Sequence, residues 1–173
     1  MAEFFGFTEK EVQELCSKYD RSFEETKAWY NGYELSVVEA QKLKVYAMYN
    51  PKSVVDAMLS GIFDNYWNQT ETYEALKAYI CMNFDGLKDS VIKILAGDRV
   101  QINTGTFSND MTSFQSRDDI LTLLVHLGYL SYHWPDKIVA IPNKEVSQEY
   151  VNAISTMDWN EVIHSVEASR KLL

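Results

Sequence analysis

The side chains best able to do chemistry in this sequence are three histidines, two cysteines, an adjacent pair of aspartates and a short run of aromatic rings. His126, His133 and His164 form no HExxH motif and stand at no Cys–His spacing suited to zinc. Cys16 and Cys81 make no CxxC pair. Both fall inside apolar patterns of helical period, so the expectation is two buried free thiols in a reducing compartment. Asp118-Asp119 has the charge to hold a metal. At the start of an apolar helical run, however, carboxylates serve the unpaired N–H groups and the positive end of the helix dipole. None of the seven glycines is followed by Lys, so the GxxxxGK[ST] loop that cradles ATP phosphates is missing. GxSxG, the nucleophile elbow, is missing too. We therefore expect no complete catalytic site, and no metal or cofactor held by this chain alone.

The aromatic run Trp29-Tyr30-Asn31-Gly32-Tyr33 could stack a base. A platform for nucleic acid interleaves aromatic with basic side chains, and here only Lys27 is near. Packing into a core, with Tyr66-Trp67 as partner, is the simpler role.

The elements that must position these groups follow from composition and pattern. Of 173 residues, 46% are hydrophobic and 13% aromatic, enough for one domain or two small packed ones and unlike a disordered chain. Sixteen basic against 25 acidic side chains give a net charge of −9, which repels a polyanion unless lysines and arginines cluster, and they do not. The start of the chain lacks a signal-peptide pattern, and no apolar run has the length of a membrane span. A cytoplasmic location is expected, with no membrane and no nucleic acid among the partners.

Helix signals dominate the first half. Thr8-Glu9-Lys10-Glu11 reads as a capping box, with Phe7 and Val12 placed for the hydrophobic staple. A second box, Ser22-Phe23-Glu24-Glu25, opens a helix that Asn31-Gly32 ends. Residues 34–46 show weak periodicity and read as a loop or a short hairpin. Asn50-Pro51 then starts a helix in the favoured order of cap and proline, and Gly61 closes it. Two further helices are predicted over about 72–82 and 87–96, and a short strand over 99–103.

The last third changes grammar. Ser116-Arg117-Asp118-Asp119 caps a helix that ends at Gly128. Residues 129–133 and 138–141 read as strands joined by the turn Trp134-Pro135-Asp136-Lys137, and Pro142-Asn143 opens a final helix. The fold class expected is α+β, predominantly helical. A helical lid-like bundle (residues 1–84) precedes a winged-helix-like domain with a two-stranded hairpin (residues 85–173). In such a domain the recognition helix would open at Ser116. Residues 116–150 carry three basic against five acidic side chains, the wrong sign for phosphate contact. Protein contact through an aromatic wing of Tyr129, Tyr132, His133 and Trp134 is the favoured use, and it would also suit a homodimer. The alternative is a free-standing nucleic-acid-binding winged helix. An enzyme site assembled from scattered carboxylates would announce itself as an Asp- or Glu-lined pocket with raised pKa values.

Five ordered segments resemble a known family: Gly6-Phe7-Thr8-Glu9-Lys10-Glu11-Val12; Phe23 to Tyr33, matching F-E-x-x-K-x-W-Y-[ND]-G-Y; Tyr49-Asn50-Pro51-Lys52-Ser53-Val54; Asp118-Asp119-Ile120 with Gly128-Tyr129-Leu130; and Ile141-Pro142-Asn143-Lys144-Glu145-Val146. Together, from Gly6 to about Ile154, they are similar to the C-terminal part of the bacterial AAA-ATPase-like family. In full-length members a P-loop ATPase precedes this region and a PD-(D/E)XK nuclease-like domain follows it. The resemblance implies a non-catalytic regulatory or interaction module, the lid and winged-helix portion of a larger ATPase. Its partner would be a P-loop core in cis or in trans, and ATP would be bound by that core. By analogy with related P-loop machines, Tyr49, Asn50 and Pro51 would face the adenine, although Asn and Pro are also what a helix start needs. Arg21, Arg99 and Arg117 are candidate phosphate sensors on the same analogy.

Overall fold

A computed structural model describes residues 6–39, 41–67, 72–82, 84–108 and 114–155. His164 lies outside the described residues. Among them are seven α-helices and two three-stranded antiparallel sheets, a mixed α+β architecture. Contacts group the chain into two units, one of residues 1–69 with 142–146, the other of residues 70–141 with 147–173. The helix after residue 72 thus groups with the second unit, where the sequence reading had carried the first half to residue 84.

In the first unit, β1 (Phe7–Thr8) leads into α1 (Glu9–Tyr19) and α2 (Phe23–Tyr30). The Thr8 capping box forms, its Oγ1 accepting from Glu11 N while Glu11 Oε2 accepts from Thr8 N. This satisfies N–H groups that no helical carbonyl can reach. Asp20 closes α1 in the left-handed conformation, and Ser22 caps α2 by accepting from Glu25 N. Next come β2 (Tyr33–Glu39) and β3 (Lys42–Tyr49), then α3 (Pro51–Ser60). Asn50 caps α3 through Lys52 N, and Gly61 ends it with φ of 74°. The core holds Val12, Cys16, Tyr30, Tyr49, Val54, Ala57 and Met58, with Phe63 and Tyr66 packed against it. Thr26 Oγ1 donates to Ser22 O, so the Cys16 thiol 3.3 Å away is the donor to Thr26.

Of the two readings of residues 34–46, the hairpin is the one that forms, and it is longer than the short one expected. These residues belong to a ribbon in which Tyr33 pairs with Met48 and Glu39 with Lys42, while β1 pairs β3 only at Met48 and Tyr49. Burial falls from Met48 and Tyr49, in the core, to the exposed stretch Lys42–Val45. The ribbon is anchored at its base and wet at its tip. Since neither face is wholly buried, the period-2 alternation that marks a strand does not develop in its sequence.

The second unit contains α4 (Thr72–Ile80), α5 (Leu87–Leu95), β4 (Val100–Gln101), a 3-10 turn at Thr104–Thr106, α6 (Arg117–His126), β5 (Ser131–His133) and β6 (Ile138–Ala140). Its sheet has the order β4-β6-β5, with Val100 opposite Val139 and Tyr132 opposite Val139 on the other side. Leu76, Ile80, Leu87, Val91, Ile120, Leu124 and Tyr129 are buried here. The last helix, α7 (Lys144–Ser155), begins on residues of the first unit and continues on residues of the second.

Cys16 is buried as expected, but Cys81 is exposed. It follows the last turn of α4, past the positions that face inward.

Candidate functional site

The start of α3 is where the nucleotide-facing residues were expected, and the structure separates them. Tyr49 ends β3 as a core residue, 1% exposed, and burial pushes its hydroxyl up to about 12. A ring so enclosed cannot stack on a ligand. Asn50 spends its side chain on the cap and its N–H on Tyr30 O at 3.3 Å, while Pro51 opens the helix facing solvent. Of the three, Pro51 is exposed, Asn50 half-buried and Tyr49 enclosed.

Directly beneath this helix start lies a group that sequence reasoning missed. The segment 142–146 returns to the first unit and is seated there by three contacts. Asn143 Nδ2 donates to Asn31 O at 2.8 Å, and Glu145 Oε1 accepts from Tyr66 N at 2.9 Å. Pro142 lies so close to Gly32 that a Cβ on that glycine would fall 1.9 Å from the Pro142 carbonyl oxygen. Gly32 has φ of 110°, so glycine is required there both for its backbone angle and for the approach. Asn143 also caps α7, its Oδ1 accepting from Val146 N at 3.0 Å. Glu145 is fully buried. Its Oε2 and the Ser53 Oγ are enclosed with no partner at full hydrogen-bond geometry, although Ser53 and the Trp67 amide stand near enough to act on the carboxyl. Burial pushes the Glu145 carboxyl up to about 7, against the pull of Ser53, the Tyr66 and Trp67 amides and the Lys52 charge.

Tyr30 binds this region together. Its hydroxyl donates to Asp64 O at 3.0 Å and accepts from Asp64 N at 3.2 Å, and its ring packs on Phe63 and Tyr66. Tyr30 therefore supplies core with Trp29 packed against it, Tyr33 is half-buried on β2, and of the expected partners Tyr66 packs on Tyr30. Lys52, on the exposed side, reaches Asp56 at 2.9 Å and Tyr66 O at 3.3 Å.

The aromatic wing is likewise divided. Tyr129 is buried, edge-on to Tyr150 at 6.3 Å, and cannot meet a partner. It precedes β5, where the chain is still turning out of the core after α6. Tyr132 and His133 are half-buried, with His133 Nε2 3.4 Å from Asp136. Trp134 is 61% exposed at the turn. His126 is exposed and stacks on Phe107 at 5.2 Å.

Asp118 and Asp119 act as cap partners. Asp119 Oδ2 accepts from Gln115 N and Ser116 N, its Oδ1 from Thr106 Oγ1, and Asp118 Oδ2 from Asn103 N. Among the described residues no three His, Cys, Asp or Glu side chains converge as metal ligands. The candidate phosphate sensors each have a local setting of their own. Arg21 covers Gly61 at the end of α3, Arg99 is exposed, and Arg117 donates to Ser90 Oγ at 2.8 Å while pairing with Asp118.

No helix among the described residues is long and apolar enough to cross a membrane. No family model, curated protein or solved structure matches the chain.

Proposed function

We propose that this chain is a non-catalytic regulatory or interaction module of the cytoplasm, the helical lid and winged-helix portion of an AAA-like ATPase whose P-loop core, in cis or in trans, binds the ATP. The observation that carries this reading is the order β4-β6-β5, in which the first strand of the second unit pairs with its last. With α5 before β4, and a turn and α6 between β4 and β5, this is the order a winged helix would have. The resemblance of the five segments supplies the rest of the reading.

Within that frame α6 is the recognition helix, and its residues 119–124 are all buried. Its first turn is acidic, and Arg117 is engaged by Ser90 and Asp118. A helix in that state is a poor reader of phosphates, which favours protein contact over nucleic acid. The exposed Trp134 suits such contact, because a large amphipathic ring desolvates well against a partner.

The size of the native product tests the proposal. An immunoblot of source cells is expected to show a species well above 20.0 kDa whose immunoprecipitate hydrolyses ATP. A 20.0 kDa species that binds DNA in a salt-sensitive anisotropy titration would replace this reading with the nucleic-acid one. Trp134→Ala is expected to weaken capture of the ATPase core while changing stability by less than about 0.5 kcal/mol.

A further inference from the structure

We propose that Glu145 is a proton-operated latch: with its carboxyl neutral, the segment 142–146 seats firmly beneath α3, and with the carboxyl charged the seat loosens. The geometry is that of a strap returning from far along the chain and held at three points. Two of them, Pro142 against Gly32 and Asn143 on Asn31 O, involve no titrating group. The third is Glu145, fully buried, whose Oε1 receives the Tyr66 amide while the Ser53 hydroxyl and the Trp67 amide stand near its carboxyl.

The surroundings do little for a negative charge. From α3 comes Lys52, whose ammonium is already shared between Asp56 and Tyr66 O. Tyr30 of α2, and Asp64 and Tyr66 of the loop after α3, bring no positive charge, and the uncharged Ser53 hydroxyl completes the α3 side. On its own helix Glu145 has Lys144 beside it and the buried Glu149 one turn on. The positive end of α7 favours the anion, as do Ser53 and the Tyr66 and Trp67 amides, but a fully buried carboxylate loses more by desolvation than these return.

The sign follows from which state holds the proton more tightly. Glu145 keeps its proton in the seated state up to about 7, above its ordinary value of 4.5. Seating is therefore favoured fully below the ordinary value, declines as pH rises between the two, and is weakest above the upper one. The strap would respond to proton activity across the neutral range, where ordinary glutamates are already charged.

The test uses the full chain and needs no variant to begin. The carboxyl of Glu145 is followed by carbon NMR, and hydrogen exchange at the Tyr66 amide, corrected for its intrinsic rate, is measured from about pH 5.5 to about pH 8.5. The expected result is a Glu145 titration near neutrality and a loss of Tyr66 protection of roughly tenfold over the same interval. Glu145→Gln, neutral at every pH, should hold that protection constant. A Glu145 titration among the ordinary carboxylates overturns the proposal. So does flat protection in the wild type, or pH-dependent protection that survives in Glu145→Gln.

Discussion

The entries to α6 and α7 are built alike and behave in opposite ways. Each places a carboxylate in the first turn of a helix, and each buries it, Asp119 at 2% exposure and Glu145 at none. For both, burial is the largest single influence and raises the pKa. Asp119 ends below its ordinary value because Gln115, Thr106 and Ser116 together outweigh that penalty. Glu145 ends well above its own because its donors do not. Near-zero exposure alone does not decide whether a carboxylate is a fixed strut or a titrating group; the balance between its desolvation and the donors aimed at it does, and that balance falls on opposite sides at the two sites.

The largest expected effect comes from removing the scaffold on the α7 side. Gly32→Ala puts a methyl into the Pro142 carbonyl and a side chain at φ of 110°. The seat must move, and destabilisation of roughly 3 kcal/mol or more is expected in urea unfolding. A loss below about 1 kcal/mol would mean that the strap adapts, and would weaken the case that Glu145 is held rather than merely covered.

Next is Asp119→Ala, which strips the acceptor from two backbone amides and the Thr106 hydroxyl at once. Leaving those donors unsatisfied is expected to cost about 2–3 kcal/mol. Because its folded pKa is lowered, the stability that Asp119 contributes is present above its ordinary value of 3.8 and lost as pH falls through the folded one. Glu145 has the reverse sign. Glu145→Gln is expected to unfold with a wild-type midpoint near about pH 5 and to gain about 1–2 kcal/mol over wild type near about pH 8. If both variants shifted stability in the same direction with pH, the balance of desolvation against donors would not be what separates the two sites.

How far this contrast was legible in the sequence depends on the residue. Asp119 was: Ser116 three positions earlier and the apolar run after it mark a helix start, and the structure places the capping box there. The Thr8 box, the Asn50-Pro51 start and the Asn143 cap were legible in the same way, since capping is settled within four residues of chain. Glu145 was not. Lys144-Glu145 after Asn143 reads as solvated charge at a helix start, and only the return of the strap beneath α3 buries it. Tyr129 misleads for a related reason: it adjoins an exposed wing in sequence but faces Tyr150 in space. The β2–β3 hairpin was legible only as one of two readings, because Val38, Leu43 and Val45 are apolar yet 71%, 45% and 46% exposed, so burial gives its pattern no period.

The smallest effect sharpens the comparison from the other end. Glu11 stands in the same kind of capping box as Asp119, but in solvent. Its carboxylate accepts from the Thr8 amide at 2.8 Å and the Thr8 hydroxyl at 2.7 Å, and those bonds hold its pKa below the ordinary value. Water can replace every one of them. Glu11→Ala should therefore cost less than about 1 kcal/mol, with a dependence on salt that Asp119→Ala lacks. The wild-type contribution of Glu11 is present above its ordinary value of 4.5 and fades as pH falls below it. Equal losses from Glu11→Ala and Asp119→Ala in parallel urea titrations would show that the motif, rather than its burial, sets the energy. A loss several times larger at Asp119 would place the difference in the buried donors that only Asp119 can satisfy.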